Sequence, residues 1–256
     1  MIRERVNVLG VGISPTHLAA AVQTITRWIE RGEKHYVCVT GVHGVTESLA
    51  DDELKRIHNR SGLTVPDGMP MVWLSRRAGF HQAGRVYGPD LMLALCEVAA
   101  KYGYTNFLYG GAAGVPELLA HNLTARFAGL PIVGGYSPPF RPLTPAEDEE
   151  VIGRINAARP DIVWVGLSTP KQERWMAAHR EQLSAAVLIG VGAAFDVHAN
   201  RRRQAPAWMQ RNGLEWFYRL LQEPRRLWRR YLFGNTRFAL HLFMQRSGLR
   251  QYPLLK

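Results

Sequence analysis

The sequence predicts an α/β fold: a mostly parallel sheet flanked by helices. Three observations predict it. Short runs rich in Val and Ile are bounded by Gly, Ser or Pro; amphipathic stretches of helical period lie between them; and helix-start signals follow several of the runs directly. In chain order the strand-like runs are VNVLGVGI (6–13), HYVCVT (35–40), NFLYGG (106–111), PIVGGYS (131–137), DIVWVGLS (161–168) and AVLIGVGAAF (186–195). The helix-like stretches are HLAAAVQTITRWIERG (17–32), PDLMLALCEVAAKYG (89–103), PELLAHNLTARFAG (116–129) and PAEDEEVIGRINAA (145–158).

Ser14-Pro15, Thr144-Pro145 and Thr169-Pro170 each set a capping hydroxyl before a proline suited to a first helical turn. Glu147 and Gln172 stand three residues beyond their threonines, the spacing of a capping box. Gly32, Gly103 and Gly129 mark helix ends.

At 256 residues the chain can bury one large core, or one core plus a small extension. Its apolar fraction of 46% and charged fraction of 21% are ordinary globular values. Cys38 and Cys96, each in an apolar stretch, argue against a disulfide framework or a cysteine-rich metal site and for a reducing compartment. The start, MIRERVNVLGVGIS, carries Glu4 and no long apolar run, so it is a poor secretory signal. No stretch approaches the roughly 20 apolar residues of a spanning helix, so membrane contact is expected to be peripheral.

Charge divides the chain at residue 200. Up to Asn200 there are 19 Lys and Arg against 19 Asp and Glu. From Arg201 onward there are 13 against only Glu215 and Glu223, which is the whole formal charge of +11. A catalytic body (1–200) with a basic, aromatic appendage (201–256) is therefore expected. In the appendage Trp216, Phe217, Leu220 and Leu221 recur at helical spacing, and Pro224 breaks or restarts the helix. Beyond it, Leu227, Trp228, Tyr231 and Leu232 interleave with Arg225, Arg226, Arg229 and Arg230. That mixture suits a helix lying in a membrane interface, where anionic lipid adds about 1 kcal/mol per basic residue. Packing on the body as a core helix and binding nucleic acid are the competing readings. The number of large apolar residues favours membrane over nucleic acid.

In open parallel sheets, ligands bind beyond the carboxyl ends of the strands. Thr40, Asp67, Gly110 to Gly114, Ser168 to Gln172 and Asp196 fall there. Gly110, Gly111 and Gly114 fit either a tight strand-to-helix turn or a cradle of backbone amides for a phosphate. Gly10-Val11-Gly12 matches part of a dinucleotide fingerprint, but the third glycine is missing, and Glu30 falls late in a helix rather than at a strand end. Asp67 sits in a Pro-Asp-Gly sequence, a favoured turn that also sets a carboxylate where a general base can act. Thr169, Lys171 and Gln172 open a helix and suit a sugar diphosphate, although a capping box alone explains the Thr and the Gln. Asp196 and His198 are too few for a metal, and the absence of any Asp-x-Asp points to metal-independent chemistry. His43 reads first as a hydrogen-bonded strand-end histidine.

The motifs VPDGMPMVW, RVYGPDLM, FLYGGAAGVPE, VWVGLSTPKQERW, GVGAAFDVHA and APAWMQRNGLEWFYRLLQEPRRLWRRY, in this order, resemble the WecG/TagA/CpsF family of bacterial glycosyltransferases (glycosyltransferase family 26). The resemblance runs from about Val8 to about Phe243. It implies a Rossmann-like core and a C-terminal appendage that engages the membrane. The implied donor is UDP-linked and the implied acceptor a lipid-linked sugar in cell-surface polysaccharide assembly. It places the family's proposed base on Asp67, its strand-end threonine on Thr40, and further substrate residues on Arg85, Gln172 and Asp196. The tail arginines that meet the donor diphosphate fall on Arg219, Arg226 and Arg229. Many members read Thr-x-Asn where this chain has Thr40-Gly41-Val42-His43, so His43 is a candidate to take the asparagine's polar role.

The combined expectation is an inverting, metal-independent and cofactor-free transferase. It would move a hexose or N-acetylhexosamine-type sugar from a UDP-sugar to a polyprenyl-diphosphate-linked sugar, in exopolysaccharide or other cell-surface assembly. It would sit on the cytoplasmic face of the membrane, touch no nucleic acid, and self-associate if apolar body surface pairs subunits. An NAD(P)-dependent oxidoreductase and a nucleic-acid-binding protein are the alternatives.

Overall fold

The computed structural model describes residues 4–255. The chain begins with β1 (Val6–Val8), β2 (Val11–Ile13), α1 (Leu18–Glu30), β3 (His35–Thr40), α2 (Val42–Ser48), α3 (Asp52–Arg60), β4 (Leu63–Pro66) and α4 (Met69–Arg77). It continues through α5 (Gly88–Tyr102), β5 (Asn106–Gly110), α6 (Val115–Arg126), β6 (Ile132–Tyr136), α7 (Pro145–Ala158), β7 (Ile162–Gly166), α8 (Lys171–His179), β8 (Val187–Gly190) and α9 (Ala194–His198). The tail forms α10 (Ala207–Arg211), α11 (Glu215–Gln222) and α12 (Pro224–Arg246). Pro224 restarts the helix at its first position, where its missing N–H removes no helical bond.

Six strands form one sheet in the order β4-β3-β8-β7-β5-β6. The β3–β8, β8–β7, β7–β5 and β5–β6 pairs are parallel. Strands covered on both faces need apolar residues at consecutive positions, and Ile162 to Val165 are each fully buried. The Trp164 indole among them donates to Asn106 Oδ1 at 2.9 Å, so the one polar atom it buries is satisfied.

The chain forms two compact units, each built from separate segments. One holds residues 19–38 and 88–203, including β5 to β8. The other holds residues 4–18, 39–87 and the tail 204–255. In this second unit the run 6–13 departs from expectation. It is an antiparallel hairpin pairing Val6 with Ile13 and Val8 with Val11, not a strand of the main sheet. Leu9 and Gly10 form its two-residue turn with φ of 54° and 87°, the signs a type I′ turn requires. Gly10 and Gly12 therefore lie in a hairpin, not between a strand and a helix, and the partial dinucleotide fingerprint has no structural counterpart.

Leu9 accepts a backbone conformation unusual for its type because its side chain is fully buried. It packs in a cluster with Val8, Val11, Ile13, Val45, Met71, Phe238 and Tyr252. Phe238 and Tyr252 belong to the tail, so the tail completes this core. Side-chain bonds reinforce the closure: Asn7 donates to the Tyr252 carbonyl (2.8 Å), and Leu9 N–H donates to Gln245 Oε1 (3.1 Å). The helix α12 also packs on α2.

Two of the three expected hydroxyl caps are not formed. Ser14 Oγ accepts from Thr64 N–H, and α1 begins only at Leu18. The helix α8 carries no side-chain cap, for a reason that belongs to the site below. At α7 the capping box is complete: Thr144 accepts from Glu147 N–H, and Glu147 accepts from Thr144 N–H. The Arg141 fork also grips Glu147, at 2.6 and 2.7 Å. The Arg141 hydrogen bond first, then that from the Thr144 amide, holds the Glu147 carboxyl down to about 2.

Replacing Thr144 by Ala should lower stability by about 1 kcal/mol in urea denaturation. Because the Glu147 pKa is depressed, its contribution is present above its ordinary value near 4.5 and disappears as pH falls through about 2. The stability gap between wild type and Glu147→Gln should therefore be constant at neutral pH and close across that acid interval. A gap that persisted at pH 2 would contradict the assignment.

Candidate active site

The geometry of the 19–38 and 88–203 unit follows from where the chain reverses in its sheet. From β5 the chain steps outward to β6, then returns across β5 to β7 and on to β8. Right-handed crossovers carry such opposite steps over opposite faces, so a crevice opens between the loops leaving β5 and β7. At that point the backbones nearly touch. A Cβ on Gly110 would lie 2.6 Å from the Gly166 carbonyl carbon, and Gly110 has a φ of 127°. Gly111 N–H donates to Gly166 O at 3.1 Å, locking the two loops together.

Past this lock, the backbone amides of Ala112, Ala113 and Gly114 have no hydrogen-bond partner among the described residues, and α6 begins immediately after them. They are the donors that the phosphate-cradle reading of this turn would use, while the tight-turn reading accounts for the same geometry. Across the crevice Ser168 holds a left-handed φ of 65°. Non-glycine residues in that region concentrate at functional sites. A cavity of about 710 Å³ occupies the crevice, lined among others by Tyr109, Gly111, Ser168, Lys171, Trp175 and Asp196. The proline-rich loop from Pro138 to Pro145 forms one wall. That volume lies within the range of small-molecule sites.

The missing α8 cap is explained inside this site. The Thr169 hydroxyl donates to Glu173 Oε1 at 2.8 Å instead of accepting from the helix. Gln172 Nε2 donates to the same oxygen at 3.1 Å. Glu173 is fully buried and Gln172 is 3% exposed. Because a carboxylate can only accept, Gln172 must turn its NH₂ toward Glu173, which points its carbonyl away. That carbonyl oxygen is buried and has no partner among the described residues. A Cβ on Gly192 would lie 3.3 Å from it, so the glycine leaves the space the carbonyl faces. Nothing in the sequence pattern singled out Glu173.

Asp196 lines the cavity from α9. His198 is taken up by the Pro89 carbonyl at 2.9 Å, and burial pushes its pKa down. Among the described residues no group of three His, Cys, Asp or Glu side chains is placed to hold a metal.

The other unit gathers a second set. Asp67 follows β4 directly, and its N–H donates to the Thr40 carbonyl at 2.9 Å, joining the ends of β4 and β3. Gly41 makes this approach possible, since a Cβ there would lie 2.5 Å from Asp67 O. Thr40 is 2% exposed, and its hydroxyl has no hydrogen-bond partner among the described residues. Buried hydroxyls in folded proteins are ordinarily hydrogen-bonded, so this one is an exception. His43 lies on α2 rather than at a strand end and pairs with Glu47 at 3.6 Å.

Arg85 donates to Gln210 Oε1 at 2.7 Å and pairs with Glu215, while its guanidinium lies 4.0 Å over the Tyr87 ring. Glu215 also pairs with Arg219 at 3.3 Å. Burial, then Glu215 and Asp67 among nearby charges, pushes the Tyr87 hydroxyl well above the ordinary range. For Arg219, burial opposes the charge, but Tyr87, Glu215 and Asp67 outweigh it and hold the pKa up. Asp67, Arg85, Tyr87, Glu215 and Arg219 thus share one electrostatic neighbourhood. Arg226 pairs with Glu223 at 2.5 Å, and Arg229 lies 5.3 Å over the Trp228 ring, both on α12. Arg230, which the motif alignment passed over, is within electrostatic reach of Arg219, Arg226 and Glu47. Glu215 and Tyr87 were missed as well, although Glu215 is one of only two acids in the tail.

A parallel sheet whose loops build a crevice of small-molecule size at strand ends, continued in the chain by a basic helical tail, is a Rossmann-like architecture. The chain belongs to the glycosyl transferase WecG/TagA/CpsF family, whose model matches residues 6–252. It is a glycosyltransferase. It is 31% identical over 237 residues to the N-acetylglucosaminyldiphosphoundecaprenol N-acetyl-beta-D-mannosaminyltransferase of Bacillus subtilis (strain 168), covering 89% of this chain and 90% of that protein. Proteins of the same name from Bacillus spizizenii (strain ATCC 23059 / NRRL B-14472 / W23) and Staphylococcus aureus (strain MW2) are 30% and 26% identical. These matches cover 81% and 88% of this chain, and 78% and 87% of those proteins.

The two kinds of glycine in the β5 turn can be told apart. Gly114 has a φ of 80° but open space around it, so Gly114→Ala should cost only the left-handed term, about 1–2 kcal/mol. Gly110→Ala adds a backbone clash and should cost about 3 kcal/mol or more. Equal losses in urea denaturation would show that the β5–β7 approach is not limiting.

Proposed function

We propose that this glycosyltransferase moves a hexose or N-acetylhexosamine-type sugar from a UDP-sugar to a polyprenyl-diphosphate-linked sugar during cell-surface polysaccharide assembly. The observation that carries the acceptor class is the near full-length match to enzymes named for a diphosphoundecaprenol-linked acceptor and an N-acetylmannosaminyl group. The donor class is supported by the crevice with its open amides at Ala112–Gly114 and by Lys171 at its edge.

In this reading the donor diphosphate lies over the N-termini of α6 and α8. Gly110, Gly111 and Gly114 shape the turn, Thr169 and Gln172 fix the α8 end, and Asp196 contributes from α9. Asp67 takes the proton from the acceptor hydroxyl as that oxygen attacks the anomeric carbon. The bond from that carbon to the UDP oxygen breaks, UDP leaves with the electron pair, and a single displacement inverts the centre. Thr40 and His43 supply polar groups near the base. Arg219, with Arg226 and Arg229, offsets the charge growing on UDP in place of a metal, a role suited to the absence of Asp-x-Asp.

The tail is proposed to hold the enzyme on the cytoplasmic face of the membrane. No helix among the described residues is long and apolar enough to cross a membrane. Trp216, Phe217, Leu221, Trp228, Leu232, Phe233 and Phe243 are all exposed, beside arginines.

The testing experiment is UDP release from a panel of UDP-sugars, with and without polyprenyl-diphosphate-linked acceptors. Acceptor-dependent release from one donor is expected, and silence together with no UDP binding would sink the reading. Asp67→Asn should lower kcat by roughly 10²–10⁴ while UDP affinity stays unchanged; near wild-type turnover would remove Asp67 as base. Replacing Trp228 and Phe233 together by Ser should weaken binding to anionic vesicles by roughly tenfold or more. Unchanged vesicle binding would assign those side chains another role.

A further inference from the structure

The Arg85 guanidinium is already taken up by the tail. Its Nη1 donates to Gln210 on α10, its Nη2 pairs with Glu215 on α11, and its face covers Tyr87. Its Nε is buried without a partner among the described residues. The side chains of Arg85 and Glu215 are only 14% and 17% exposed. A diphosphate could take this fork only by expelling both a carboxylate and an amide, leaving Glu215 a buried anion beside the incoming one.

Glu215 has a second engagement. Its other oxygen forms an ion pair with Arg219 Nε at 3.3 Å, one helical turn along α11. One carboxylate therefore bridges Arg85, 130 residues away in the chain, and Arg219 on its own helix. The ion pair at Nε holds the Arg219 guanidinium from its inner side. Its two terminal nitrogens have no partner among the described residues, so they form an oriented pair of donors, the geometry that grips phosphate oxygens. Asp67 and Tyr87 lie within electrostatic reach of that pair.

We propose that Arg85 is a positioning residue: through Gln210 and Glu215 it docks α10 and α11 and aims Arg219 at the diphosphate of the ligand. Arg85 does not itself touch that diphosphate. This rests on the diphosphate-donor reading above and refines it, because the resemblance had placed Arg85 among the substrate contacts.

The test is a double-mutant cycle on the full-length chain, with UDP and inorganic pyrophosphate titrated calorimetrically. The variants are Arg85→Gln, Glu215→Gln and both together, with Arg219→Gln as reference. Stoichiometry reports the folded fraction and Kd reports the site, so a merely structural defect lowers the first and leaves the second. The expected result is that Glu215→Gln weakens binding about tenfold, although it removes a negative charge near an anion site. Arg85→Gln should match it, and the double variant should be no worse than either single one. The swapped pair Arg85→Glu with Glu215→Arg should recover part of the loss. Tighter binding in Glu215→Gln, or additive losses, would overturn the proposal, because Arg85 would then be the direct contact and Glu215 its competitor. If the wild type bound pyrophosphate but not UDP, the UDP reading would fall and the pyrophosphate cycle would still decide the role of Arg85. Binding of neither would overturn both.

Discussion

The approach of β5 to β7 at Gly110 and Gly166 is the constraint on which the crevice depends. Two parallel strands ordinarily leave room for side chains at sheet spacing, but here the paired last residues of β5 and β7, Gly110 and Gly166, approach with no room for a Cβ on Gly110. Gly111 N–H donates to Gly166 O, and the amides of Ala112, Ala113 and Gly114 beyond it have no hydrogen-bond partner among the described residues. Because the chain leaves β5 for β6 and leaves β7 for β8, the loops separate after this contact. The concavity follows from strand order, and its openness to backbone donors follows from two glycines.

Polar burial around α8 follows a related logic. A carboxylate placed without exposure at a helix start would be costly unless its oxygens were bonded. Glu173 accepts from Thr169 and Gln172 at Oε1, while its Oε2 is buried without a partner among the described residues, so the position in the first turn, where the helix dipole favours a negative group, is the remaining offset. The arrangement sacrifices the hydroxyl cap that the Thr169–Gln172 spacing promised. In exchange it fixes a glutamine amide in one orientation. Further along the helix, Trp175 stacks on both Tyr109 and His179, and His179 meets Asp148 at 2.9 Å. Side chains that line the cavity are thus braced from behind by aromatic and ionic contacts.

What the sequence disclosed, and what it hid, follows from the range of the deciding contacts. The parallel strands were legible because burial on both faces writes continuous Val and Ile. The helix α7 was legible to the residue because Thr144, Pro145 and Glu147 cap it locally. The strand-end positions of Asp67, Gly110 and Ser168 were legible because each follows a short apolar run. The hairpin was not, since Leu9 is a poor turn residue by local chemistry and is stabilised there by a core that includes Phe238 and Tyr252. Nor was α2, whose VHGVTES sequence has weak helix propensity and is held by packing on α12. Glu215 gains meaning only beside Arg85, far away in the chain.

Those same contacts change how the basic tail should be understood. By composition it separates cleanly at residue 200, yet its α12 carries apolar residues of two kinds. Leu227 and Phe238, three turns apart on one stripe, are buried, and Phe238 joins the hairpin core. Trp228, Leu232, Phe233, Leu240 and Phe243 on the remaining surface are exposed. One stripe satisfies the fold and the other does not, and exposed apolar residues of that number on one helix mark a surface that meets something else. The charges divide similarly. The two tail acids are both engaged with arginines, Glu215 with Arg85 and Arg219, and Glu223 with Arg226. The tail is therefore at once a structural part of the unit it joins and the carrier of the chain's whole net charge. On the proposed reading, the surface that sits on anionic lipid is built on α12, the helix that closes the hairpin core, and Arg219 lies on α11 just before it, so both roles belong to a tail that is part of the fold.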